Sequence, residues 1–388
     1  MSWLTRPCRK SLASGPSTFN RARFLRDIYI SIKVGLLRSN DKRRVGKFDA
    51  PPYKSISGKA PWILENAGEA LTRILFITSN RLGDAVLSTG VLARMIEDYP
   101  GAKVTIVCGP VPAGLFDGVP GLESVVVLEK KKYSLHWWKM WRHGILKLWD
   151  VIVDLRNAPL SYALPAKRQI HLGRAGKLDI HRVAAMASIV KAQNNPPDPK
   201  LWTLPEHKLD AENLIVGEGP VLAIGPTANW SGKTWPAERF SQLALRLTDK
   251  DGILPGARIA VIAHSSESAL AQRVLEGLPK DRTINLVGDT PLLSVYACLQ
   301  RADFYVGNDS GLMHMAAASG TPTIGLFGPS REKHYAPWGP KCRAVRGPKS
   351  YDEVFPENYD FRNAPCMMLD LSVDIAEASA RELWNEVQ

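Results

Sequence analysis

Between residues 304 and 330 the chain reads FYVGNDSGLMHMAAASGTPTIGLFGPS, and its chemistry gathers at Gly307, Asn308, Asp309, Ser310 and Gly311. A strand runs into this turn and a helix of small residues leaves it. Glycines let a backbone approach a ligand closely, and free N–H groups at a helix start attract phosphate oxygens. His314 follows one turn into the helix, and a second glycine-bounded turn, Gly325–Pro329, follows the next strand. Together these features predict a pyrophosphate pocket. The competing duty is structural: Asp309 or Ser310 caps the helix.

Two further segments carry polar residues at strand ends. Pro226–Phe240 reads PTANWSGKTWPAERF, in which a strand over Val221–Gly225 opens into a polar loop with Thr227 and Lys233 before a helix with proline in its first turn. A lysine at a strand's carboxyl end is suited to neutralise a diphosphate; the alternative is a solvated loop lysine. The segment RILFITSNRLGDAVLSTGVL places Asp84 at the start of a helix whose apolar face includes Val86, Leu87, Val91 and Met95. A carboxylate there can serve as a general base that deprotonates a hydroxyl. It can equally be an N-cap, stabilised by the helix dipole.

These turns must be positioned by a framework of alternating strands and helices. Arg73–Thr78, Lys103–Cys108, Ser124–Leu128 and Asp150–Leu155 read as strands, with helices over Asp84–Tyr99 and Lys131–Leu148. Around 192–220 a polar stretch with Pro196, Pro197, Pro199, Pro205 and Pro220 reads as an interdomain connection. A second alternation follows, with strands at 221–225, 258–262, 283–286, 304–306 and 323–326 and helices at 236–249, 266–278, 292–301 and 311–319. Such alternation is the mark of parallel sheets covered on both faces, whose ligands sit at the carboxyl ends of the strands. The fold class is therefore α/β: two doubly wound, Rossmann-like domains facing a central cleft.

Charge divides the chain differently. Residues 1–60 carry 14 Lys/Arg against 3 Asp/Glu, while the remaining 328 residues carry 36 against 35. The formal net charge of +12 thus belongs almost wholly to an N-terminal extension. Within it Phe24, Leu25, Ile28, Ile32 and Leu36 recur at helical spacing among Arg21, Arg23, Arg26, Lys33 and Arg38. That pattern suits an anionic membrane surface, a packing helix or an unfolded tail. No nucleic-acid recognition motif accompanies it. A second basic and aromatic stretch contains Lys130, Lys131, Lys132, Trp137, Trp138, Trp141, Arg142, Lys147 and Trp149. Trp138, Trp141, Ile145 and Leu148 share a helical face and read as core, leaving the cations to meet phosphates or a bilayer surface.

Missing motifs narrow the chemistry. No G-x-G-x-x-G supports a nicotinamide dehydrogenase, no G-x-x-x-x-G-K-[ST] a P-loop kinase, and no G-x-S-x-G a serine hydrolase. No D-x-D-like clamp lies near the phosphate-binding turns, so neither a metal nor a cofactor is expected. Cys8, Cys108, Cys298, Cys342 and Cys366 are odd in number, scattered and without a C-x-x-C pair, which fits a reducing cytoplasm. No secretory signal or run of 18 apolar residues is expected to cross a membrane.

At its motifs the chain resembles the ADP-heptose:lipopolysaccharide heptosyltransferases, glycosyltransferase family 9, which have the GT-B fold and invert the anomeric centre. The resemblance runs from about Leu71 to Gln388 and rests on five stretches. These are N-S-R-L-G-D ending at Asp84, G-K-T-W-P at Lys233, V-G-N-D-S-G-L-M-H-M-A-A-A-S-G-T-P at 306–322, L-F-G-P at 326–329, and Cys366-Met-Met followed by S-V-D-I at 372–375. The basic extension lies outside that plan. The resemblance implies that Asp84 is the general base and that Lys233 contacts the donor phosphates. It implies that Asp309, with the Ser310 and Gly311 backbone, holds the sugar-phosphate portion, and that Glu267 contacts the ribose. It further implies a nucleotide-sugar donor, ADP-heptose, and an acceptor in the lipopolysaccharide inner core, Kdo-lipid A or its extension.

The resulting expectation is a GT-B enzyme with four parts. Residues 1–69 form a basic, partly helical extension, 70–205 an acceptor domain, 206–370 a nucleotide-sugar domain, and 371–388 a helix crossing back to brace the acceptor domain. Asp84 is the candidate catalytic residue; Thr227, Lys233, Glu267, Asn308, Asp309, Ser310, Gly311 and His314 are the donor candidates. Arg81 and Arg156 are candidate acceptor contacts. The expected setting is cytoplasmic, peripheral on the inner face of the inner membrane. Two alternatives remain: a nucleotide-sugar epimerase of similar fold, and a non-catalytic peripheral membrane protein that binds nucleotide sugars.

Overall fold

A computed structural model describes residues 72–129, 144–355 and 365–388. The expectations for the basic extension, and for Lys130, Lys131, Lys132, Trp137, Trp138, Trp141 and Arg142, lie outside those residues.

The first sheet holds β1 (Arg73–Ile77), β2 (Lys103–Cys108), β3 (Leu122–Val127), β4 (Trp149–Asp154) and β5 (Ala166–His171) in the order β3-β2-β1-β4-β5. The second holds β6 (Val221–Gly225), β7 (Arg258–His264), β8 (Thr283–Gly288), β9 (Phe304–Asn308), β10 (Thr323–Phe327) and β11 (Cys342–Arg346) in the order β11-β10-β9-β6-β7-β8. Every pairing is parallel. The central strands β6, β9 and β10 are buried at all positions, as expected where helices cover both faces of a sheet.

The strand order sets where ligands bind. In the first sheet the winding reverses between β1 and β4, and in the second between β6 and β9. A parallel sheet opens a crevice beyond the carboxyl ends of the strands at such a reversal. The loops that begin at Thr78, Leu155, Pro226 and Asp309 are the four loops at these two points.

Helices connect and cover the sheets. In the first half these are α1 (Leu82–Asp98) and the short α2 (Arg182–Ala187). After α3 (Pro205–Leu214) come α4 (Ala237–Thr248), α5 (Ser268–Glu276), α6 (Leu292–Gln300), α7 (Gly311–Ala318), α8 (Glu332–Tyr335) and α9 (Val373–Val387). One apolar cluster joins Val86, Leu87 and Val91 of α1 to Met313 and Met315 of α7, so the two sheets share a core.

Several expectations change. The segment 192–220 contains a full helix, α3, which packs on α6 of the second sheet. Its residues are mostly polar, which hid it within a proline-bearing stretch. The expected helix does not include Leu148, which is exposed outside any helix, while Trp149 is fully buried in β4. The edge strands β5 and β11, AKRQIH and CRAVR, are too polar to stand out from sequence. Finally, α9 does not cross back to the first half. Val373, Ala376, Ala380 and Leu383 bury into the second sheet's core, and the helix packs on α4, β10 and β11.

Candidate functional site

Two helix starts meet between the sheets. Gly83, in the first turn of α1, faces His314 of α7, and Gly311, which begins α7, faces Leu82. A Cβ on Gly311 would come within 2.6 Å of the Leu82 side chain. Glycine at these two positions permits the approach, because any larger side chain would hold the helices apart.

Asp84 sits in the first turn of α1, whose N-cap is Arg81. Asp84 is therefore inside the helix, not its cap, and Arg81 makes no side-chain capping bond. The carboxylate lies 3.5 Å from the Ser79 hydroxyl, at the limit of a hydrogen bond. Burial pushes its pKa above the usual aspartate value; the charges of Arg81 and Arg182 and the Ser79 hydroxyl oppose this, and the charge of Asp309 adds to it. Carboxylates from both halves thus sense each other across the gap. An aspartate made more basic by burial is a better proton acceptor.

Asp84 lines a pocket of about 280 Å³. Thr78, Ser79, Leu155, Arg156, Arg182 and Tyr335 are among its walls. Arg156 donates to Asn80 Oδ1 at 2.9 Å, and burial pushes its pKa down while Asp154 raises it. Arg182 donates to the Gly176 carbonyl at 2.8 Å and lies over the Tyr335 ring at 5.5 Å. Arg156 and Arg182 thus bring two guanidinium groups to one cavity beside a carboxylate, suited to an anionic ligand that presents a hydroxyl to Asp84. Arg81 is exposed at the mouth of α1, and its charge reaches Asp84.

On the other side, Lys233 ends a 3-10 turn, Ser231–Lys233, and its ammonium donates to Asp309 Oδ2 at 2.6 Å. The lysine side chain is 24% exposed and the aspartate 7%, so the pair is largely withdrawn from bulk water. The turn is strapped from behind: Met367 N–H donates to the Gly232 carbonyl at 3.1 Å, and Trp235 Nε1 donates to the Leu371 carbonyl at 2.9 Å.

The remaining donor candidates divide into two groups. Thr227 donates to Glu267 Oε2 at 2.8 Å, which joins the loops after β6 and β7. Ser310 holds the N-cap position of α7 without a side-chain capping bond, and Asp309 precedes it. The capping alternative therefore does not hold, and the first N–H groups of α7, from Gly311 onward, are not capped by either side chain. Asn308 is a correction. It is fully buried; its amide donates to the Pro226 carbonyl at 2.7 Å and accepts the Trp235 N–H at 3.1 Å. It ties the Lys233 loop to β9, and both ends of its amide are taken up by that tie. His314 is buried against Gly83, and burial lowers its pKa to about 4, so the ring is neutral at physiological pH.

A second set of contacts joins the halves beside the pocket. Asp179 meets Lys333 at 2.6 Å and His334 at 2.8 Å. Trp338 Nε1 donates to Asp198 at 2.7 Å. His181 Nε2 donates to the Ala336 carbonyl at 2.9 Å while Nδ1 accepts the Val183 N–H at 3.2 Å, a pattern that requires the neutral ring. Sequence reasoning missed Arg182 and Tyr335, which this region supplies to the pocket. Both lie on helices of six residues or fewer, with no periodicity to reveal them.

Comparison with known proteins identifies the family and the fold. A family model described as glycosyltransferase family 9 (heptosyltransferase) covers residues 154–358. The chain is 24% identical over 309 residues to lipooligosaccharide heptosyltransferase 2 of Haemophilus influenzae, covering 70% of this chain and 88% of that protein. It is 26% identical over 323 residues to lipopolysaccharide heptosyltransferase 2 of Salmonella typhimurium, covering 73% and 90%. Its fold is similar to the solved structure of Escherichia coli ADP-heptose lps heptosyltransferase II, with a TM-score of 0.61 and 20% identity over 81% of this chain and 99% of that one.

Proposed function

The chain belongs to glycosyltransferase family 9 (heptosyltransferase), and from that premise we propose that it transfers heptose from ADP-heptose to the lipopolysaccharide inner core, Kdo-lipid A or its extension, with inversion. The carrying observation is the pair of facing half-sites: Asp84 with Arg156 and Arg182 on one side, Lys233 with Asp309 and the start of α7 on the other. The names of similar proteins support heptose as the sugar and ADP as its carrier.

In this reading Asp84 takes the proton of the acceptor hydroxyl as that oxygen bonds to the anomeric carbon. The bond from the anomeric carbon to the diphosphate oxygen breaks, and ADP leaves with the electron pair. One displacement inverts the centre. The entering diphosphate takes over the Lys233 ammonium from Asp309, and the N–H groups at the start of α7 share the developing charge. No resident cofactor or metal is required by these steps, since Lys233 and the helix start neutralise the leaving group. Asp309, relieved of Lys233, is placed to accept hydrogen bonds from the sugar. Arg156 and Arg182, with Arg81 at the mouth, hold anionic groups of the acceptor.

The proposed setting is the cytoplasmic side of the inner membrane, with residues 1–60 meeting its anionic surface. Among the described residues Cys108, Cys298, Cys342 and Cys366 are free thiols, in keeping with a reducing compartment. No helix among the described residues is long and apolar enough to cross a membrane.

The test is a mass-spectrometric assay of ADP-heptose with and without acceptor, supplied both as Kdo-lipid A and as its heptose-extended form. The expected result is one heptose added to the acceptor and ADP released only when both are present. Conversion of the donor without acceptor would identify an epimerase instead, and no turnover under either condition would leave a binding protein.

A further inference from the structure

Arg156 enters the acceptor pocket from the turn after β4, and a buried carboxylate holds that turn. Asp154 is the last residue of β4, fully buried, registered against Ile77 of β1 and His171 of β5. Its Oδ1 accepts the Arg156 N–H at 2.8 Å. Its Oδ2 accepts the Ala158 N–H at 2.6 Å and the Ser161 hydroxyl at 2.7 Å. His171 Nδ1 lies 3.5 Å away, and its ring is stacked on Tyr162 with centroids 3.8 Å apart. A carboxylate removed from water is tolerated only where such donors replace its hydration.

The same turn is pinned on its outer side. Asn157 adopts a left-handed backbone, φ 53°, which asparagine accepts better than most residues. Its Oδ1 accepts the Gly173 N–H at 2.6 Å. Gly173 belongs to the loop after β5, whose Leu172 and Gly176 form another wall of the pocket. One wall is thus fastened to the sheet by Asp154 and to its neighbour by Asn157. Nothing in this network lines the cavity except Leu155, Arg156, Leu172 and Gly176, so its effect on a ligand passes through them.

We propose that Asp154 is a positioning residue for the acceptor: it fixes the 155–161 turn so that the Arg156 guanidinium is held in the pocket, ready for an anionic group of the incoming glycolipid. This rests on the reading of that pocket as the acceptor's. An asparagine at 154 keeps the shape but offers one acceptor oxygen where the turn presents N–H donors to both. The turn then relaxes and Arg156 loses its fixed aim, while the donor half is untouched.

Steady-state transfer is measured for the full chain with ADP-heptose and whichever acceptor, Kdo-lipid A or its heptose-extended form, the wild type uses, varying each substrate. The variants are Arg156→Ala, Asp154→Asn, Asn157→Gly and each of the last two combined with Arg156→Ala. Asp154→Asn is expected to raise the acceptor KM about tenfold, with the donor KM unchanged, as loss of a well-aimed charged contact does. In the Arg156→Ala background it adds less than about twofold, because the residue it positions is gone. Asn157→Gly keeps the left-handed turn but deletes the Gly173 bond, and repeats the effect at smaller size should Asp154→Asn fail to fold. Equal effects with and without Arg156, or a matching rise in donor KM, overturn the proposal. An unchanged acceptor KM in Arg156→Ala overturns the pocket assignment itself, and the proposal with it.

Discussion

Gly83 of α1 lies against His314 of α7 so closely that a Cβ on the glycine would stand 2.9 Å from the imidazole Cδ2. The two helices come from different sheets, and the residues beside this contact are Asp84 on one side and the Asp309 turn on the other. Contact between the helix starts therefore fixes the spacing between Asp84 and the Lys233–Asp309 pair. A transferase gains from such a fixed spacing because the reacting atoms must be held in register.

Gly83→Ala tests that contact. In an uncrowded helix the change would stabilise the protein by about 1 kcal/mol, since alanine is the better helix former. Here overpacking against a buried ring opposes it, at a cost of roughly 1–3 kcal/mol. The expected outcome is a lower melting temperature and a lower kcat with both KM values nearly unchanged. A raised melting temperature with full activity would show that the helix starts are not in contact.

Asp84→Asn should lower kcat by roughly 10²–10⁴-fold, the usual worth of a general base, with ADP affinity nearly intact. In the wild type, kcat/KM should fall on the acid side with a midpoint above that of an ordinary aspartate, because burial raises the Asp84 pKa. Arg81→Ala removes a charge that lowers this pKa, so the acid limb should move further up. Stability carries the opposite sign. A carboxyl whose pKa is raised on folding contributes most below its unfolded value and loses that contribution as pH rises through the folded one. Asp84→Asn should therefore be at least as stable as the wild type at pH 8, with the difference closing toward pH 4. An unshifted acid limb together with a destabilised variant at pH 8 would remove the assignment.

Lys233→Met should weaken ADP binding about 10- to 100-fold, the loss of one charge-assisted contact in a partly dry site. The acceptor KM should stay constant. Because Asp309 loses its 2.6 Å partner, Lys233→Met combined with Asp309→Asn should be more stable than Lys233→Met alone. Isothermal titration with ADP and thermal melts of the wild type and the two variants check both statements. Unchanged ADP affinity in Lys233→Met would place the phosphates elsewhere.

How far the site was legible follows from where its residues sit. Asp84, Lys233 and Asp309 lie in the segments that follow buried, strongly apolar strands, so strand pattern and polar turn together pointed to them. Asn308 shares the same turn, yet it faces inward; a sequence pattern cannot tell which of two adjacent polar residues lies in the sheet's own register. Arg182 and Tyr335 belong to walls made by short helices, and their approach depends on contacts such as Asp179 with Lys333 that join residues more than 150 positions apart. The destination of α9 was misread for a related reason: its apolar stripe, Val373, Ala376, Ala380 and Leu383, shows that it packs but not against which sheet.

His314 supplies a final prediction, on stability and not on turnover. Burial holds its pKa at about 4, below the ordinary histidine value; the charge of Asp309 opposes the shift, and those of His181 and Lys233 add to it. The folded chain therefore prefers the neutral ring. That preference contributes fully above the unfolded pKa of about 6.5 and is lost as pH falls from there toward 4, an effect on the order of 3 kcal/mol. His314→Gln fills a similar space with a group that does not titrate. Urea unfolding of both proteins at pH 7, 6, 5 and 4 should show the wild type losing stability faster than the variant across that interval. Parallel loss in the two would mean that the imidazole is not enclosed between α1 and α7, and that the contact with Gly83 does not set the geometry of the cleft.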